Sequence, residues 1–355
     1  MEFGIALPTA ADAWKVVKRA EERGFTHAWF YDTQMLCADC FVAMGAAAVH
    51  TSRIRLGTGV LIPSNRIAPV TANGFASLNQ LAPGRIDFGV GTGFTGRRTM
   101  GLGAIKLADM AEYIRVVMAL LAGETTEFEV EGHRQKIAFL NPELGLINID
   151  DPVALHISAY GPRARRLTAR LGAGWLNFVG EVAGGVAAML AMRTTWEEAG
   201  RSAGDLTAVA FALGCVLEAG EPPTSDRAIA QAGPRAAVLL HRAADEALAG
   251  LPNTSSIPAS VAEAVAGYLA LARTYEPADA RYLENHRGHL MAVKPRERPF
   301  VTAELIRQTT FTGTEPDLLD RIAALRDAGY TQFTIQLVPG QEHAIEDWAR
   351  LKSKF

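Results

Sequence analysis

The feature that most constrains this chain is a repeat: a short apolar run followed by a helix-forming stretch, met eight times. The runs are EFGIAL (Glu2–Leu7), HAWFY (His27–Tyr31), RIRLGTGVLI from Arg53, RIDFGVG from Arg85, VALHISAY from Val153, GWLNFV from Gly174, LTAVAFALGCVL from Leu206 and QFTIQLV from Gln332. Parallel strands need a crossover between them, which a helix supplies, and a strand covered on both faces reads as a nearly continuous apolar run. Such units either close into a (β/α)8 TIM barrel or stay an open doubly wound sheet. The count of eight, and a last strand so near the C-terminus, predict the barrel. No Pro- or Ser-rich linker divides the 355 residues, so 1–355 read as a single α/β domain interrupted twice. Polar and apolar residues alternating around Glu131-Gly132 predict a hairpin insertion near 125–140. The segment near 222–299 predicts a helical insertion with breaks at Pro and Gly.

Inside this pattern, RIDFGVGTGFTG carries Gly91, Gly93 and Gly96 in the spacing G-x-G-x-x-G, the written form of a dinucleotide-binding fingerprint. Its context does not suit that role. It follows the fourth strand, RRTMGLG delays the next helix to around Lys106, and the acidic residues farther on, Asp109 and Glu112, fall inside that helix. A nicotinamide dehydrogenase on an open sheet is therefore disfavoured. At the C-terminal end of a barrel strand the same glycines let a ligand approach the backbone.

Composition removes other classes. Apolar residues make up 49% and charged residues 21%, enough to bury a large core, and the net charge of −3 without a Lys/Arg block argues against nucleic acid as a partner. The N-terminus lacks the pattern of a secretory signal, and the longest apolar runs, such as Val182 to Met192, are too short to span a bilayer, so a cytoplasmic protein without membrane contact is expected. Three cysteines do not make a disulfide framework. Cys37 and Cys40 form C-x-x-C, but two further ligands at matching spacing are missing. They read as small residues at a helix start, and no metal is expected.

Five segments recur in one order across most of the chain: AWFYD (Ala28–Asp32), TSRIRLGTGVLIP (Thr51–Pro63), LAPGRIDFGVGTG (Leu81–Gly93), ISAYGPRARRLTARLGAGW (Ile157–Trp175) and FTGTEPDLLDRIAALRDAG (Phe311–Gly329). With them the chain resembles the bacterial luciferase-like superfamily, and particularly its F420-dependent branch that includes methylenetetrahydromethanopterin reductase. The resemblance implies a barrel with insertions that binds FMN or the deazaflavin F420 at its C-terminal mouth. It also implies a small-molecule substrate, a homo-oligomer and a separate flavin or F420 reductase. Carried over by position, Asp32 matches a cofactor contact, and Thr58, Gly59 and Val60 match a segment whose non-prolyl cis peptide would fall at Gly59–Val60, behind the flavin. Gly91, Thr92 and Gly93 match a cofactor contact after strand four. Tyr160 and Gly161 match the turn that receives the cofactor phosphate. Pro162 at a first helical position, followed by Arg163 and Ala164, agrees, because a helix N-terminus offers free N–H groups and partial positive charge. A solvated basic helix face is the other reading of GPRARR.

Departures from the family pattern narrow the activity. The sugar-phosphate dehydrogenases carry a catalytic His where this chain has Thr33, and a Glu where it has Phe94; Arg66-Ile67 stands for their Arg-His. That activity is not expected here. The catalytic candidates are Asp32, as a general acid or else a helix N-cap, and Gln34, bonding a flavin edge or substrate or else a plain loop residue. Asn177, at the end of strand six, is placed at the mouth as a cofactor contact. His156 reads as a satisfied core residue. Arg97 and Arg98 would attract an anionic cofactor tail or form a solvated pair. The function these residues suggest is a flavin-dependent oxidoreductase, by F420-dependent hydride transfer or reduced-FMN monooxygenation. A non-catalytic flavin-binding relative is the alternative.

Overall fold

The computed structural model describes residues 1–248 and 257–355 of the chain. Eight parallel strands form a closed barrel: β1 (Glu2–Leu7), β2 (His27–Phe30), β3 (Arg55–Thr58), β4 (Ile86–Val90), β5 (Ala154–Ser158), β6 (Gly174–Phe178), β7 (Ala208–Ala212) and β8 (Gln332–Gln336). Each pairs with its neighbours in sequence, and β8 closes on β1 through Glu2↔Gln332 and Ile5↔Ile335. Every predicted apolar run supplies one barrel strand, and the fold is a TIM barrel. Helices fill the intervals, among them Trp14–Glu22, Cys40–His50, Ala68–Leu81, Leu107–Leu121, Pro162–Leu171, Val182–Glu198 and Glu315–Ala328. Asp39 starts the second of these by accepting from the N–H groups of Phe41 and Val42.

Two strands stop sooner than their apolar runs. The β3 ladder ends at Thr58, the Gly59–Val60 peptide is cis, and pairing resumes at a single bridge between Leu61 and Val90. After β7 the chain leaves the barrel, and Val216–Leu217 pairs instead with Gly313–Thr314. Gly214 permits this turn because its backbone lies against that of Phe311; a Cβ there would sit 1.9 Å from the Phe311 carbonyl oxygen.

Both insertions are present. Thr126–Val130 and His133–Ile137 pair antiparallel about Glu131 and Gly132, whose φ of 54° and 78° suit a two-residue turn. The second insertion contributes helices Asp226–Leu248, Ala262–Ala272 and Arg281–His286, packed around their own apolar cluster that includes Leu240, Val265 and Tyr268. The breaks at Pro and Gly expected of the segment as a whole do not occur at every such residue. The first helix runs through Pro234, which is buried like Ala232, Gly233, Ala236 and Ala237 around it, so packing outweighs the lost N–H. Positions 249–256 of the expected insertion lie outside the described residues. Among the described residues no helix is long and apolar enough to cross a membrane.

Strand alternation decides what the barrel encloses. At the N-terminal end, Asp87 of β4 accepts both Nε (3.0 Å) and an Nη (2.6 Å) of Arg55, with His156 Nε2 at 3.7 Å and His27 Nε2 at 4.0 Å. His156 is thus a core residue as expected, although its Nδ1 has no partner. Trp29 fills the middle, packed on Phe211 and donating to Gln332 Oε1 at 2.9 Å. Gly57 makes room for that indole, since a Cβ there would approach the ring to 2.6 Å.

Candidate active site

Above Trp29 the barrel opens into a cavity of about 370 Å³ at the C-terminal ends of its strands. Barrel loops build one side, with Gly59, Val60, Gly91, Thr92, Gly93 and Tyr160 all on the lining. The insertion builds the other, through Arg235 and Arg242 of helix Asp226–Leu248 and the His289–Met291 loop. The glycine pattern of strand four packs loop on loop. A Cβ on Gly91 would lie 2.7 Å from Val60 Cγ2, and one on Gly96 would lie 2.4 Å from Ile62 Cδ1. Gly93, at φ 81°, starts a one-turn helix Phe94–Arg98 that the sequence reading did not anticipate. This turn carries Phe94 to the cavity, with the guanidinium of Arg98 4.0 Å and that of Arg242 5.4 Å from its ring centre. Thr33 also reaches the lining, so the two positions where related dehydrogenases carry His and Glu present no titratable group here.

Other expected residues lie elsewhere. Asp32 is buried beside the cavity, not on its lining, and accepts from Ile62 N–H (3.1 Å), Asn65 Nδ2 (3.1 Å) and Arg66 Nη1 (2.8 Å). The helix N-cap is Asp39 and not Asp32. Gln34 joins the same network, donating to the Gly96 carbonyl at 2.8 Å and accepting from Asn65 at 2.7 Å. Both tie the loops after β2, β3 and β4 together. Thr58 is buried between strands, its hydroxyl donating to the Gly89 carbonyl at 2.7 Å.

Asn177 is a correction. The alternation of β6 turns it outward, where it donates to Tyr330 Oη at 2.7 Å, and Phe178 occupies the mouth instead. Gly161 and Pro162 are exposed beside the mouth; Gly161 precedes helix Pro162–Leu171 with no side-chain cap on that helix's first N–H groups. Ala164 is partly buried on that helix, while Arg163 turns with Arg166 toward an outer groove beside Leu107 and Glu198. Arg98 is neither a free anion attractor nor a solvated residue, for it pairs with Asp245 at 2.9 Å, and Arg97 donates to the Gly103 carbonyl. Cys37, Cys40 and Cys215 are free thiols, with Cys40 at the first turn of its helix as expected. Among the described residues no cluster of His, Cys, Asp or Glu could hold a metal.

The electrostatic character comes from the insertion, which the sequence reading left without named residues. Arg235 stacks over Phe178 at 5.1 Å, its Nε has no partner, and no carboxylate among the described residues pairs with it. Burial pulls its pKa down from the usual arginine value. The Tyr31 hydroxyl, on the same lining, also lacks a partner, and burial raises its pKa well above the ordinary tyrosine value. Behind the lining runs a chain of buried groups. His289 Nε2 lies 3.4 Å from Thr95 Oγ1 and its Nδ1 lies 2.8 Å from His241 Nδ1. His241 Nε2 meets Glu297 Oε1 at 2.7 Å, and Lys294 Nζ reaches the same oxygen at 2.8 Å. Burial would raise the Glu297 pKa, but His241 and Lys294 outweigh it and hold the carboxyl at about 2. The one available sequence signal was that three of the eight histidines fall within the insertion.

The comparisons with known proteins agree with this architecture. An F420-dependent glucose-6-phosphate dehydrogenase of Beutenbergia cavernae is 38% identical over 141 residues, 38% of this chain and 40% of that protein. A 5,10-methylenetetrahydromethanopterin reductase of Methanolobus tindarius is 29% identical over 191 residues, 52% of this chain and 53% of that protein. These matches span about half, or less, of the curated relatives. Among solved structures, the coenzyme F420-dependent tetrahydromethanopterin reductase of Methanopyrus kandleri superposes with a TM-score of 0.74 at 20% identity, over 98% of this chain and 97% of that one. The oxygenating constituent of 3,6-diketocamphane monooxygenase from Pseudomonas putida, in complex with FMN, does so at 0.65 and 12% identity, over 99% and 95%. Such identities speak for the fold alone. The model of the luciferase-like monooxygenase family, however, matches residues 2–332, nearly the whole barrel from β1 to the start of β8, and the chain belongs to that family.

Proposed function

We propose that the protein is an oxidoreductase that takes F420 at the barrel mouth and exchanges hydride between it and a small organic substrate. The observation that carries this reading is the mouth cavity itself. Its volume suits a small-molecule site, for which roughly 300–1,000 Å³ is usual. It joins apolar walls (Val60, Ile62 and Phe178) to donors that the described residues leave unmatched, the Tyr31 hydroxyl and Arg235 Nε. A planar heteroaromatic ring with a polar edge and an anionic tail fits such a surface, so these residues suit a deazaflavin or a flavin. F420 is preferred because the similar Beutenbergia cavernae dehydrogenase named above is F420-dependent.

On this reading Val60 and Gly91–Gly93 support the ring, with Thr92 and Tyr160 at its border, and the uncapped N–H groups after Gly161 receive the phosphate. Phe94, Leu290 and Met291 keep water from the ring, and Arg235 holds an anionic group of the cofactor or substrate. The cofactor supplies hydride chemistry. Asp32 and Gln34 hold the loops in register and do not touch substrate.

Loading purified protein separately with F420 and FMN, followed by gel filtration and absorbance spectroscopy, tests the proposal. Co-elution of F420 without FMN is the expected result. FMN alone would turn the reading to monooxygenation fed by a separate flavin reductase. Retention of neither would overturn the oxidoreductase assignment. The same column reports whether the chain is the homo-oligomer that the family resemblance implies.

A further inference from the structure

A dehydrogenation site needs somewhere for a proton to go, and Thr33 and Phe94 cannot take one. The imidazole on the cavity lining is that of His289, delivered by the insertion and not by a barrel strand. Its loop is tightly held: Leu290 adopts φ 62°, unusual for a branched residue, and its carbonyl accepts from Gln336 of β8 at 2.9 Å.

The tautomer follows from the chain of contacts. Glu297 is a charged acceptor, so His241 must present an N–H at Nε2. A neutral His241 then has a bare Nδ1, and the short contact to His289 Nδ1 requires that His289 donate there. His289 is left with its lone pair on Nε2, beside Thr95 and the cavity. We propose that His289 Nε2 is the proton-accepting atom of the mouth, fixed in that form by His241 and Glu297 as positioning residues. The inference rests on the oxidoreductase reading above and names its substrates as alcohols and the corresponding carbonyl compounds. The hydroxyl O–H bond breaks and an N–H bond forms at Nε2. The carbon-bound hydrogen leaves as hydride to oxidised F420, and the C–O bond becomes a carbonyl. The positive charge on His289 is relieved by passing its Nδ1 proton to His241, whose Nε2 proton moves toward Glu297.

The charges around His289 keep its ring neutral and weaken it as a base, so proton acceptance there depends on passing charge on to His241 and Glu297. Helix Asp226–Leu248 presents Arg235, His241 and Arg242, helix Arg281–His286 presents His286, and the loop after it presents Lys294 and Glu297. The turn Phe94–Arg98 adds Thr95, and Arg98 is neutralised by Asp245, which also bonds His286. Burial first, then the neighbouring imidazoles, Arg235 and Lys294, hold the His289 pKa well below its ordinary value, so the ring is uncharged at neutral pH.

Imidazole nitrogen NMR on isotope-labelled whole protein tests the relay. The expected spectrum at neutral pH has His289 protonated at Nδ1 and bare at Nε2, and His241 protonated at Nε2. Glu297→Gln is expected to abolish that preference in both rings. A His289 proton on Nε2, or a tautomer indifferent to Glu297→Gln, would overturn the relay. A second arm follows reduction of bound F420 by a panel of primary and secondary alcohols. A rate lower by about 100-fold in His289→Asn, at unchanged F420 affinity, is expected. Equal rates in the two proteins, or no reduction by any alcohol in the wild type, would overturn the assignment. Failure of the wild type to bind F420 would remove the proposed function, while the tautomer of the free protein would still decide the relay.

Discussion

Arg235 carries a charge that the described residues leave unanswered, which is costly in a partly buried place unless a ligand supplies the counter-charge. Arg235→Met should therefore raise the thermal midpoint of the ligand-free protein while weakening anionic ligands by about tenfold or more; a lowered midpoint in differential scanning fluorimetry would contradict this. Asp32 is the opposite case, with its charge fully met inside the loop network. Removing Arg66 leaves a buried carboxylate with neutral donors only, so Arg66→Met should cost about 3–5 kcal/mol in denaturant unfolding, and adding Asp32→Asn should recover part of it. At this scale the sequence was readable where a residue's place follows from the strand it ends, as for Val60, Gly91 and Tyr160, which all line the mouth. It misled at Asn177, where one step along β6 reverses the face. It was silent on His289 and Arg235, because their meaning depends on partners more than forty positions away, such as His241 for the one, or on a counter-charge that the described residues do not provide.

Elements were more legible than residues. A parallel strand covered on both faces needs a continuous apolar run, so all eight strands announced themselves, as did the hairpin at Glu131-Gly132. Their ends did not, because termination at Thr58 and Ala212 is imposed by neighbouring loops and by the close backbone approach at Gly214. The helix through Pro234 was hidden for a similar reason, since local propensity predicts a break that tertiary packing overrides. Glycines give a direct check on the loops and ladders. A Cβ on Gly89 would stand 2.0 Å from the Thr58 carbonyl oxygen, inside the β3–β4 ladder, whereas one on Gly161 meets nothing within 4 Å. Gly89→Ala should thus force the strands apart and cost about 3 kcal/mol or more. Gly161→Ala, at φ −86°, should leave the unfolding midpoint unchanged within error. Comparable midpoints for the two variants would mean that the close approach at β4 does not hold in solution.

Across the whole molecule, barrel and insertion are both held by buried titratable groups, and the signs of their shifts fix the response to acid. Burial lowers the pKa of His241, His289 and His27 below the usual 6.5, so the unfolded chain binds protons there that the folded one refuses. Their stabilisation is complete above about pH 6.5 and is lost progressively as the pH falls below it. The carboxylates come next. Glu297, Asp245 and Asp87 are buried, which alone would raise their pKa values, but His241 and Lys294, His286 and Arg98, and His156 and Arg55 respectively bring them below the ordinary range. Their contribution is present above about pH 4.5 and disappears as the pH drops toward the folded value, about 2 for Glu297. The thermal midpoint should then decline in two stages on acidification, an imidazole stage starting near pH 6.5 and a steeper carboxylate stage below about 4.5. Replacing His241 and His289 together by Asn should flatten the first stage, because the unfolded chain no longer gains those two protons, and should leave Asp87 to shape the second. A midpoint constant from pH 7 to pH 5 in the wild type would show that the folded and unfolded chains bind protons alike over that range, so that burial does not hold these imidazoles, His289 among them, below their ordinary pKa.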